Sequence, residues 1–346
     1  MRRHWQTMAF ISVTLILIAG LCSGPLSSQS ATTPSRSFTL TNTIHIPPAS
    51  NGSKELRLWI PMPYEESSQG SGKVKITGVS HWKMYIEPEY RNRYAYVLIG
   101  GDSLAKGATI TASFHVQRFE HKVALTDPDD EQGTPTVATL RFLRPDRLVP
   151  IDGQIADIST QQTRNITLPL EKARKLYEYV IATMHYDHDG KDWGRGDAMW
   201  ACNSKHGNCT DFHSLFIALA RSSGIPARFE IGFSIPTAAH EGPITSYHCW
   251  AQFYAQGVGW VPIDASEAWK HKELHDYYFG ELDANRVKMS MGRDIRLNPP
   301  QKGDPLNYFV YPYAELDGKP FAGLTNDYSY KDDPNSGPEV PTINGK

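Results

Sequence analysis

The sequence predicts an α+β protein in which a β-sandwich-like domain precedes a domain of helices packed on an antiparallel sheet. Three observations predict this class. Short alternating apolar runs, separated by turn residues, fill residues 38–123; an amphipathic helix pattern follows at residues 207–224; and two further alternating runs lie at residues 246–264. A chain of 346 residues with 40% hydrophobic residues is long enough for two domains.

The chain begins with the pattern of an export signal. Arg2 and Arg3 precede an apolar run from Met8 to Leu21, and small polar residues follow. This run is shorter than the ~20 apolar residues that a membrane span needs, so residues 1–30 are predicted to be a cleaved signal peptide. The predicted location is periplasmic or secreted, and an uncleaved N-terminal membrane anchor is the alternative.

Composition excludes some partners. The 35 Lys and Arg residues nearly balance the 37 Asp and Glu residues, giving a formal net charge of -2. A protein that binds nucleic acid needs a basic stripe, so no nucleic-acid partner is predicted. A membrane partner is expected only if the N-terminal segment stays uncleaved.

The leading domain is predicted over residues 38–123. Runs such as "FTLTNTIHI", "ELRLWIPMP" and "ATITASFHV" each suit a strand with one buried face, and several short strands in sequence favour a sandwich. A polar connector is predicted at residues 124–164, a second domain at residues 165–324, and a disordered, Pro-rich tail at residues 325–346.

One cysteine stands where a helix is predicted to begin. In "GNCTDFHSLFIALARSSGIPAR", Cys209 comes directly before or within the first turn, and Gly224 suits the end of the helix. The unpaired N–H groups and positive dipole of a helix start favour a thiolate over a thiol. Cys209 is therefore a candidate nucleophile.

A nucleophile of this kind needs a base and a residue that orients the base. His248 lies in the alternating run at residues 246–255, and Asp264 ends the next run, which a tight turn at Gly257 to Gly259 connects to the first. Antiparallel pairing of the two runs brings Asp264 near His248. A hydrogen-bonded line of Cys209, His248 and Asp264 follows.

These segments together resemble the transglutaminase-like superfamily. The shared pattern is a Gly-x-Cys helix start with a Gly-Ile-Pro-Ala-Arg exit, then "YHCWAQFY", then "GWVPIDAS", and it spans about residues 170–269. The resemblance implies a papain-like core with a Cys-His-Asp triad at Cys209, His248 and Asp264. It also implies thiol-dependent acyl transfer at amide bonds, with either amide exchange or hydrolysis by a cysteine peptidase or amidase, and an exported bacterial type.

The oxyanion hole has two sequence candidates besides the backbone N–H of Cys209. Asn203 lies six residues before Cys209, the spacing at which papain-like proteases carry a glutamine, and Trp200 is the aromatic alternative that many transglutaminases use. The predicted partners are a protein or peptide amide substrate, with an amine acceptor or a cell-wall peptide as further options. No cofactor and no metal are predicted.

Three other interpretations of these cysteines stay open. The spacing of Cys202, His206, Cys209 and His213 could hold zinc, at the cost of using the nucleophile as a ligand. Export leaves Cys202, Cys209 and Cys249, and two of these three could pair as a disulfide. Finally, the fold could serve as a non-catalytic binding module for protein or cell wall.

Overall fold

The computed structural model describes residues 33–50, 52–125, 137–334 and 336–337. The predicted signal peptide at residues 1–30 lies outside this part of the chain. Within it, no helix is both long enough and apolar enough to cross a membrane.

The described residues form eighteen strands and seven α-helices, with two short 3₁₀ turns at Arg141–Leu143 and Lys272–Leu274. The strands are β1 (Ser35–Ile46), β2 (Glu55–Pro61), β3 (Gln69–Thr77), β4 (Lys83–Ile86), β5 (Arg93–Gly100), β6 (Ala108–Phe119), β7 (His121–Lys122), β8 (His185–Tyr186), β9 (His206–Gly207), β10 (Ala227–Ser234), β11 (Glu241–Ile244), β12 (His248–Ala255), β13 (Gly259–Ile263), β14 (Glu281–Leu282), β15 (Arg286–Met291), β16 (Tyr313–Leu316), β17 (Lys319–Pro320) and β18 (Thr325–Asp332). The helices are α1 (Gly101–Lys106), α2 (Val137–Leu140), α3 (Gln154–Gln162), α4 (Pro169–Thr183), α5 (Ala198–Ser204), α6 (Cys209–Ser222) and α7 (Ala265–Lys270).

Two five-stranded antiparallel sheets form a sandwich, but four of their ten strands, β11, β16, β17 and β18, come from beyond the predicted domain at residues 38–123. One has the order β11-β18-β1-β6-β3 and the other β17-β16-β2-β5-β4. Strand β1 alternates between buried and outward-facing positions, and its inward residues share one core with those of β2. The alternation of apolar and polar residues that predicted the strand therefore also predicts which of its faces is buried.

The predicted disordered tail is wrong over its first residues. Thr325–Asp332 form β18, which lies between β1 and β11 in the first sheet. Tyr328 and Tyr330 are buried there, and Asp332 binds Arg36 at 2.9 Å. The segment looks polar in isolation, but its alternate residues complete a core made by distant strands. Residues 338–346 lie outside the described part of the chain.

A four-stranded antiparallel sheet supports the second half of the protein, in the order β13-β12-β10-β15. Helix α6 packs on its β12 and β10 strands, and every residue of α6 from Cys209 to Arg221 is buried. A helix buried on all sides lies at the centre of its domain. The predicted α+β class, with a cysteine-bearing helix packed on an antiparallel sheet and a sandwich-like portion before it, is confirmed.

The predicted connector at residues 124–164 contains regular structure. Helix α3 lies within it, and the Ser159 hydroxyl donates a hydrogen bond to the Leu219 carbonyl of α6 at 2.9 Å. This short helix therefore packs directly against the helix that carries Cys209.

Candidate active site

Cys209 is the first residue of α6, and the turn before it is built to start a helix. The Asn208 side chain accepts a hydrogen bond from the Thr210 N–H at 2.9 Å, and the Asp211 carboxylate accepts one from the Asn208 N–H at 3.0 Å. This reciprocal pair is a capping box. It leaves the N–H of Cys209 among the first N–H groups of the helix, which have no acceptor within the helix.

Asp211 also holds a neighbouring loop. Its carboxylate accepts the N–H of Gly194 at 2.7 Å and the N–H of Gly196 at 3.0 Å. A side chain at Gly207, where φ is 144°, would meet the same carboxylate at 2.4 Å. Gly207, two residues before the cysteine, therefore makes room for the Asp211 carboxylate.

His248 and Asp264 form a short polar contact. The Nε2 atom of His248 lies 2.7 Å from Oδ2 of Asp264, and both side chains are almost completely buried. Oδ1 of Asp264 accepts hydrogen bonds from the Ser266 hydroxyl at 3.0 Å and from the Glu267 N–H at 3.1 Å. Because Nε2 is engaged by Asp264, Nδ1 is the ring nitrogen left to interact with Cys209, whose thiol contributes to the raised pKa of His248.

A buried arginine completes the contacts of Asp264. Arg286, on β15, donates to Oδ2 of Asp264 at 3.1 Å and to Asp283 at 2.6 Å. Its guanidinium lies 5.0 Å from the ring of Trp250. Asp264 thus has a cation on each side, and both of its oxygens are fixed by hydrogen bonds.

The charges of this cluster favour an ion pair. Burial raises the pKa of the Cys209 thiol, but hydrogen bonds from Cys249 and His248 and the charge of His248 hold that pKa well below its usual range. Burial lowers the pKa of His248, but the Asp264 carboxylate and Cys209 together raise it to about 10. Burial likewise raises the pKa of Asp264, and His248 and Arg286 outweigh this and depress it strongly. At neutral pH the favoured state is a Cys209 thiolate beside a His248 imidazolium.

Neither sequence candidate for the oxyanion hole contacts Cys209 among the hydrogen bonds and ring contacts of the described residues. Asn203 is exposed at the end of α5, and Trp200 is half-buried with its ring 5.1 Å from that of His206. Lys205, in the left-handed conformation, ends α5 before the chain turns into β9 and reaches Cys209. The backbone N–H of Cys209 is the remaining donor that the sequence named.

The four residues of the zinc interpretation do not converge. His206 binds Asp187 at 2.8 Å, and His213 faces the backbone of its own helix. Across the described chain, no group of three or more metal-binding side chains is close enough to hold a metal ion. Cys202, Cys209 and Cys249 are all free thiols.

Four tyrosines are close enough to Cys209 that its charge, after the larger effect of burial, helps to raise their pKa values. They are Tyr186, Tyr247, Tyr308 and Tyr311. Burial and then the Cys209 charge raise the pKa of Tyr186 to about 12, so it remains a neutral phenol. The Tyr247 hydroxyl binds the cap residue Asn208 at 2.9 Å. Position beside the motifs, at residues 186 and 247, was the signal that could have identified two of them.

Comparison with known proteins agrees with this architecture. Residues 156–265 match the model of the transglutaminase-like superfamily. This part of the chain is similar to that superfamily. The predicted resemblance is thereby confirmed at the level of the superfamily, and the match includes most of α3, which the predicted domain boundary at residue 165 leaves out.

Similarity to known proteins extends beyond that part of the chain. An uncharacterized protein of Haemophilus influenzae is 28% identical over 333 residues, covering 82% of this chain and 86% of that protein. The crystal structure of a candidate cysteine protease from Cytophaga hutchinsonii has a TM-score of 0.56 at 15% identity, covering 88% of this chain and 96% of that one. The periplasmic domain of TgpA from Pseudomonas aeruginosa has a TM-score of 0.36 at 12% identity, covering 71% of this chain and 91% of that one. The Cytophaga structure shows that the fold, including the sandwich, recurs in another protein.

Proposed function

We propose that this protein is an enzyme that transfers acyl groups from amides through a thioester on Cys209. The observation that carries the proposal is the line from Cys209 at a helix start, through His248, to Asp264 at 2.7 Å. The transglutaminase-like fold supports thiol-dependent amide chemistry for this class of protein.

The proposed first step is attack of the Cys209 thiolate on an amide carbonyl carbon. The carbonyl π electrons move to oxygen, and the N–H of Cys209 stabilises the oxyanion. The tetrahedral intermediate then collapses, the C–N bond breaks, and His248 gives its Nδ1 proton to the leaving ammonia or amine. An acyl-thioester and a neutral His248 result.

The second step regenerates the thiolate. Neutral His248 takes a proton from the attacking water or amine, which forms the new bond to the acyl carbon as the C–S bond breaks. Water gives deamidation or peptide hydrolysis, and an amine gives amide exchange. Asp264 holds the ring with Nε2 toward itself and stabilises the imidazolium in both steps.

The proposed substrates are protein or peptide amides, with amine acceptors and cell-wall peptides as further classes. The description of the Cytophaga relative as a cysteine protease makes peptide amides the first class to screen. We also propose that the protein is exported, on the strength of the charged and apolar pattern at residues 1–30.

The deciding experiment measures iodoacetamide alkylation of Cys209 against pH, residue by residue, by mass spectrometry. An unperturbed thiol titrates near ~8.5, whereas a His-paired thiol titrates at roughly 3.5–7.5. Cys209 should react below neutral pH in the native protein and lose this reactivity in His248→Ala. Hydrolysis or amine exchange of peptide amides should disappear in Cys209→Ser and persist in Cys202→Ser, the matched change of a buried cysteine on α5.

A Cys209 that reacts only at alkaline pH, or a biological activity that survives Cys209→Ser, would overturn the proposal. The non-catalytic binding module would then explain the fold. In that case Cys209→Ser should leave binding of the protein or cell-wall partner intact.

A further inference from the structure

One buried imidazole connects the start of the helix that carries Cys209 with the start of the helix that follows Asp264. His213 lies one turn after Cys209 on α6 and has no exposed surface. Its Nδ1 atom lies 2.7 Å from the Cys209 carbonyl oxygen, and its Nε2 atom lies 3.0 Å from the main-chain nitrogen of Ala265. Ala265 directly follows Asp264 and is the first residue of α7. His213 therefore contacts the main chain at both places.

These two contacts determine where the ring carries its proton. The main-chain N–H of Ala265 can only donate, so Nε2 of His213 accepts it with a lone pair. The proton of a neutral ring is then on Nδ1, and it goes to the Cys209 carbonyl, which can only accept. The Cys249 sulfur lies farther from the same Nδ1 atom, at 3.5 Å. Both ring nitrogens are therefore used by main-chain groups.

The neutral state of His213 leaves Asp264 to its other partners. A second proton on Nε2 would face the N–H of Ala265, and burial, the largest influence, lowers the pKa of His213 in agreement with this geometry. Nε2 also lies 3.6 Å from Oδ1 of Asp264, too far for a hydrogen bond and without a proton to donate. The ionisable groups around the ring are Cys209 on α6, His248 and Cys249 on β12, and Asp264 after β13.

The contact with Ala265 completes the support of the main chain at Asp264. The N–H of Ala265 is among the first N–H groups of α7, which have no acceptor within the helix. The Asp264 carboxylate accepts a different one, the N–H of Glu267 at 3.1 Å. The N–H of Asp264 itself donates to the Tyr278 carbonyl at 3.0 Å. The main chain at Asp264 is thus held by Tyr278 on one side and by His213 on the other.

We propose that His213 is a positioning residue, which sets the distance between the main chain at Cys209 and the main chain at Asp264 through this pair of hydrogen bonds. The inference deepens the proposed function and rests on it, because this distance matters only if the thiol and the carboxylate act together through His248. His213 is fully buried, forms no bond with substrate and gives up no proton. Hydrogen bonds weaken steeply with distance and angle, so a shift between the two helix starts weakens the contacts of His248.

The test uses three variants that divide the bridge into its halves. In His213→Asn, the side-chain nitrogen takes the place of Nδ1 and keeps a donor to the Cys209 carbonyl, but the Ala265 N–H loses its acceptor. In His213→Gln, the side-chain oxygen takes the place of Nε2 and keeps the acceptor for Ala265, but the Cys209 carbonyl loses its donor. His213→Leu fills the space and keeps neither half.

The measured quantity is the apparent pKa of Cys209, from site-resolved iodoacetamide alkylation against pH. The bridge needs both halves, so all three variants should raise this pKa by about one unit, roughly a tenfold loss of thiolate at a pH below it, the size of one lost hydrogen bond. The matched control is Phe216→Leu, a buried residue of the same helix whose ring packs against that of Phe253. It should lower the free energy of unfolding and leave the Cys209 titration in place, which separates positioning from stability.

A Cys209 titration in His213→Leu equal to that of the native chain would overturn the inference. So would a native titration in His213→Asn or His213→Gln, because one half of the bridge would then be enough. If His248→Ala still raises the apparent pKa of Cys209 in the same series, the proposed function stands and only the role of His213 fails. If neither residue moves the titration, both fail.

A measurement on the native chain decides the matter even if the variants do not fold. Nitrogen-15 NMR should show His213 as a neutral ring with its proton on Nδ1. It should also show a scalar coupling between the Ala265 nitrogen and Nε2, across the hydrogen bond that joins them. A ring that carries its proton on Nε2 could not accept from Ala265, and would contradict the inference.

Discussion

At the scale of single residues, the protonation of His248 determines the charge state of the site. It is almost completely buried, and burial alone would strip its proton near neutral pH. The Asp264 carboxylate at 2.7 Å reverses this and helps raise the pKa of His248 to about 10. Because the pKa of His248 is higher in the folded than in the unfolded chain, its protonation stabilises the fold at pH values below the unfolded pKa. This contribution disappears as the pH rises through the folded pKa of about 10.

Replacement of Asp264 by asparagine should therefore lower the pKa of His248. Asp264→Asn removes the largest influence that raises the pKa of His248, and loss of an opposite charge shifts a pKa by about 1–3 units. The pKa of His248 should fall from about 10 by that amount, to about 7–9. Histidine-selective ¹³C NMR, with His248→Ala to assign the signal, measures the shift.

A surface carboxylate provides the control for this measurement. Glu241 is exposed on β11 and pairs with Lys331 on β18. Glu241→Gln should leave the titration of His248 unmoved. A His248 signal that titrates at the same pH in Asp264→Asn as in the native chain would show that Asp264 does not control the ring.

The sequence identified Cys209, His248 and Asp264 because each lies in its own local motif. Arg286 belongs to no such motif, and its contact with Asp264 depends on β15 pairing with β10. In the sequence His213 resembles an ordinary packed residue, because the N–H group that it binds, that of Ala265, comes from a distant part of the chain. Residues that act through tertiary contacts alone leave no pattern in a single sequence.

At the scale of elements, the start of α6 and the loop before it form one unit. Asp211 ties Gly194, Gly196 and Asn208 together through three N–H groups. The same loop is held from the other side by Arg293, which donates to the Gly196 carbonyl at 3.1 Å. The loop is thus fastened to the helix that carries the nucleophile.

Asp211→Asn should loosen this loop while leaving α6 formed. An amide has one acceptor oxygen, so at least one of the N–H groups of Gly194 and Gly196 loses its partner, at a cost of about 1–3 kcal/mol. Hydrogen exchange of those two amides should quicken by one to two orders of magnitude, roughly the equivalent of that energy. Peptide-resolved deuterium exchange over residues 187–197 measures it.

The matched control lies in the same loop. Asp189 is exposed, and Asp189→Asn should leave exchange at residues 194–196 unchanged. Equal exchange in Asp211→Asn and the native chain would mean that the loop is held by Arg293 and its neighbours without Asp211.

Element prediction from sequence worked where alternation was strong. The runs at residues 246–255 and 260–264 became β12 and β13, with Asp264 directly after β13. It failed for β18, because that strand has polar residues on its outer face and only tyrosines and an aspartate inward. The buried partner of that aspartate, Arg36, lies almost three hundred residues away in the sequence. No local sequence pattern could therefore predict that the strand is buried.

At the scale of the whole molecule, a buried ionic cluster joins the sandwich to the sheet of the site. Lys288 on β15 contacts Glu66 at 2.8 Å and Glu230 on β10 at 2.5 Å, with no exposed surface of its own. Burial raises the pKa of Glu66, but Lys288 and Arg118 outweigh it and hold the pKa well below the usual range. A carboxyl pKa that is lower in the folded than in the unfolded chain stabilises the fold at pH values above the unfolded pKa. This contribution is lost as the pH falls through the folded pKa.

The last strand makes the sandwich depend on the end of the chain. A chain ending at residue 324 lacks β18, which pairs with β1 over eight residues and with β11 over four. It also loses buried Tyr328 and Tyr330 and leaves Arg36 buried without Asp332. Each buried aromatic is worth about 3–5 kcal/mol and an orphaned buried charge about as much, against a total stability of about 5–15 kcal/mol.

The truncated chain should therefore show no cooperative unfolding transition in urea. Tryptophan fluorescence measured against urea concentration tests this. A chain ending at Gly337 keeps β18 and should match the full chain in midpoint. In the full chain, Asp332→Ala should lower the free energy of unfolding by about 3–5 kcal/mol through loss of the Arg36 pair. A chain ending at residue 324 that unfolds cooperatively at the native midpoint would contradict the place of β18, because a strand between two others cannot leave its sheet without cost.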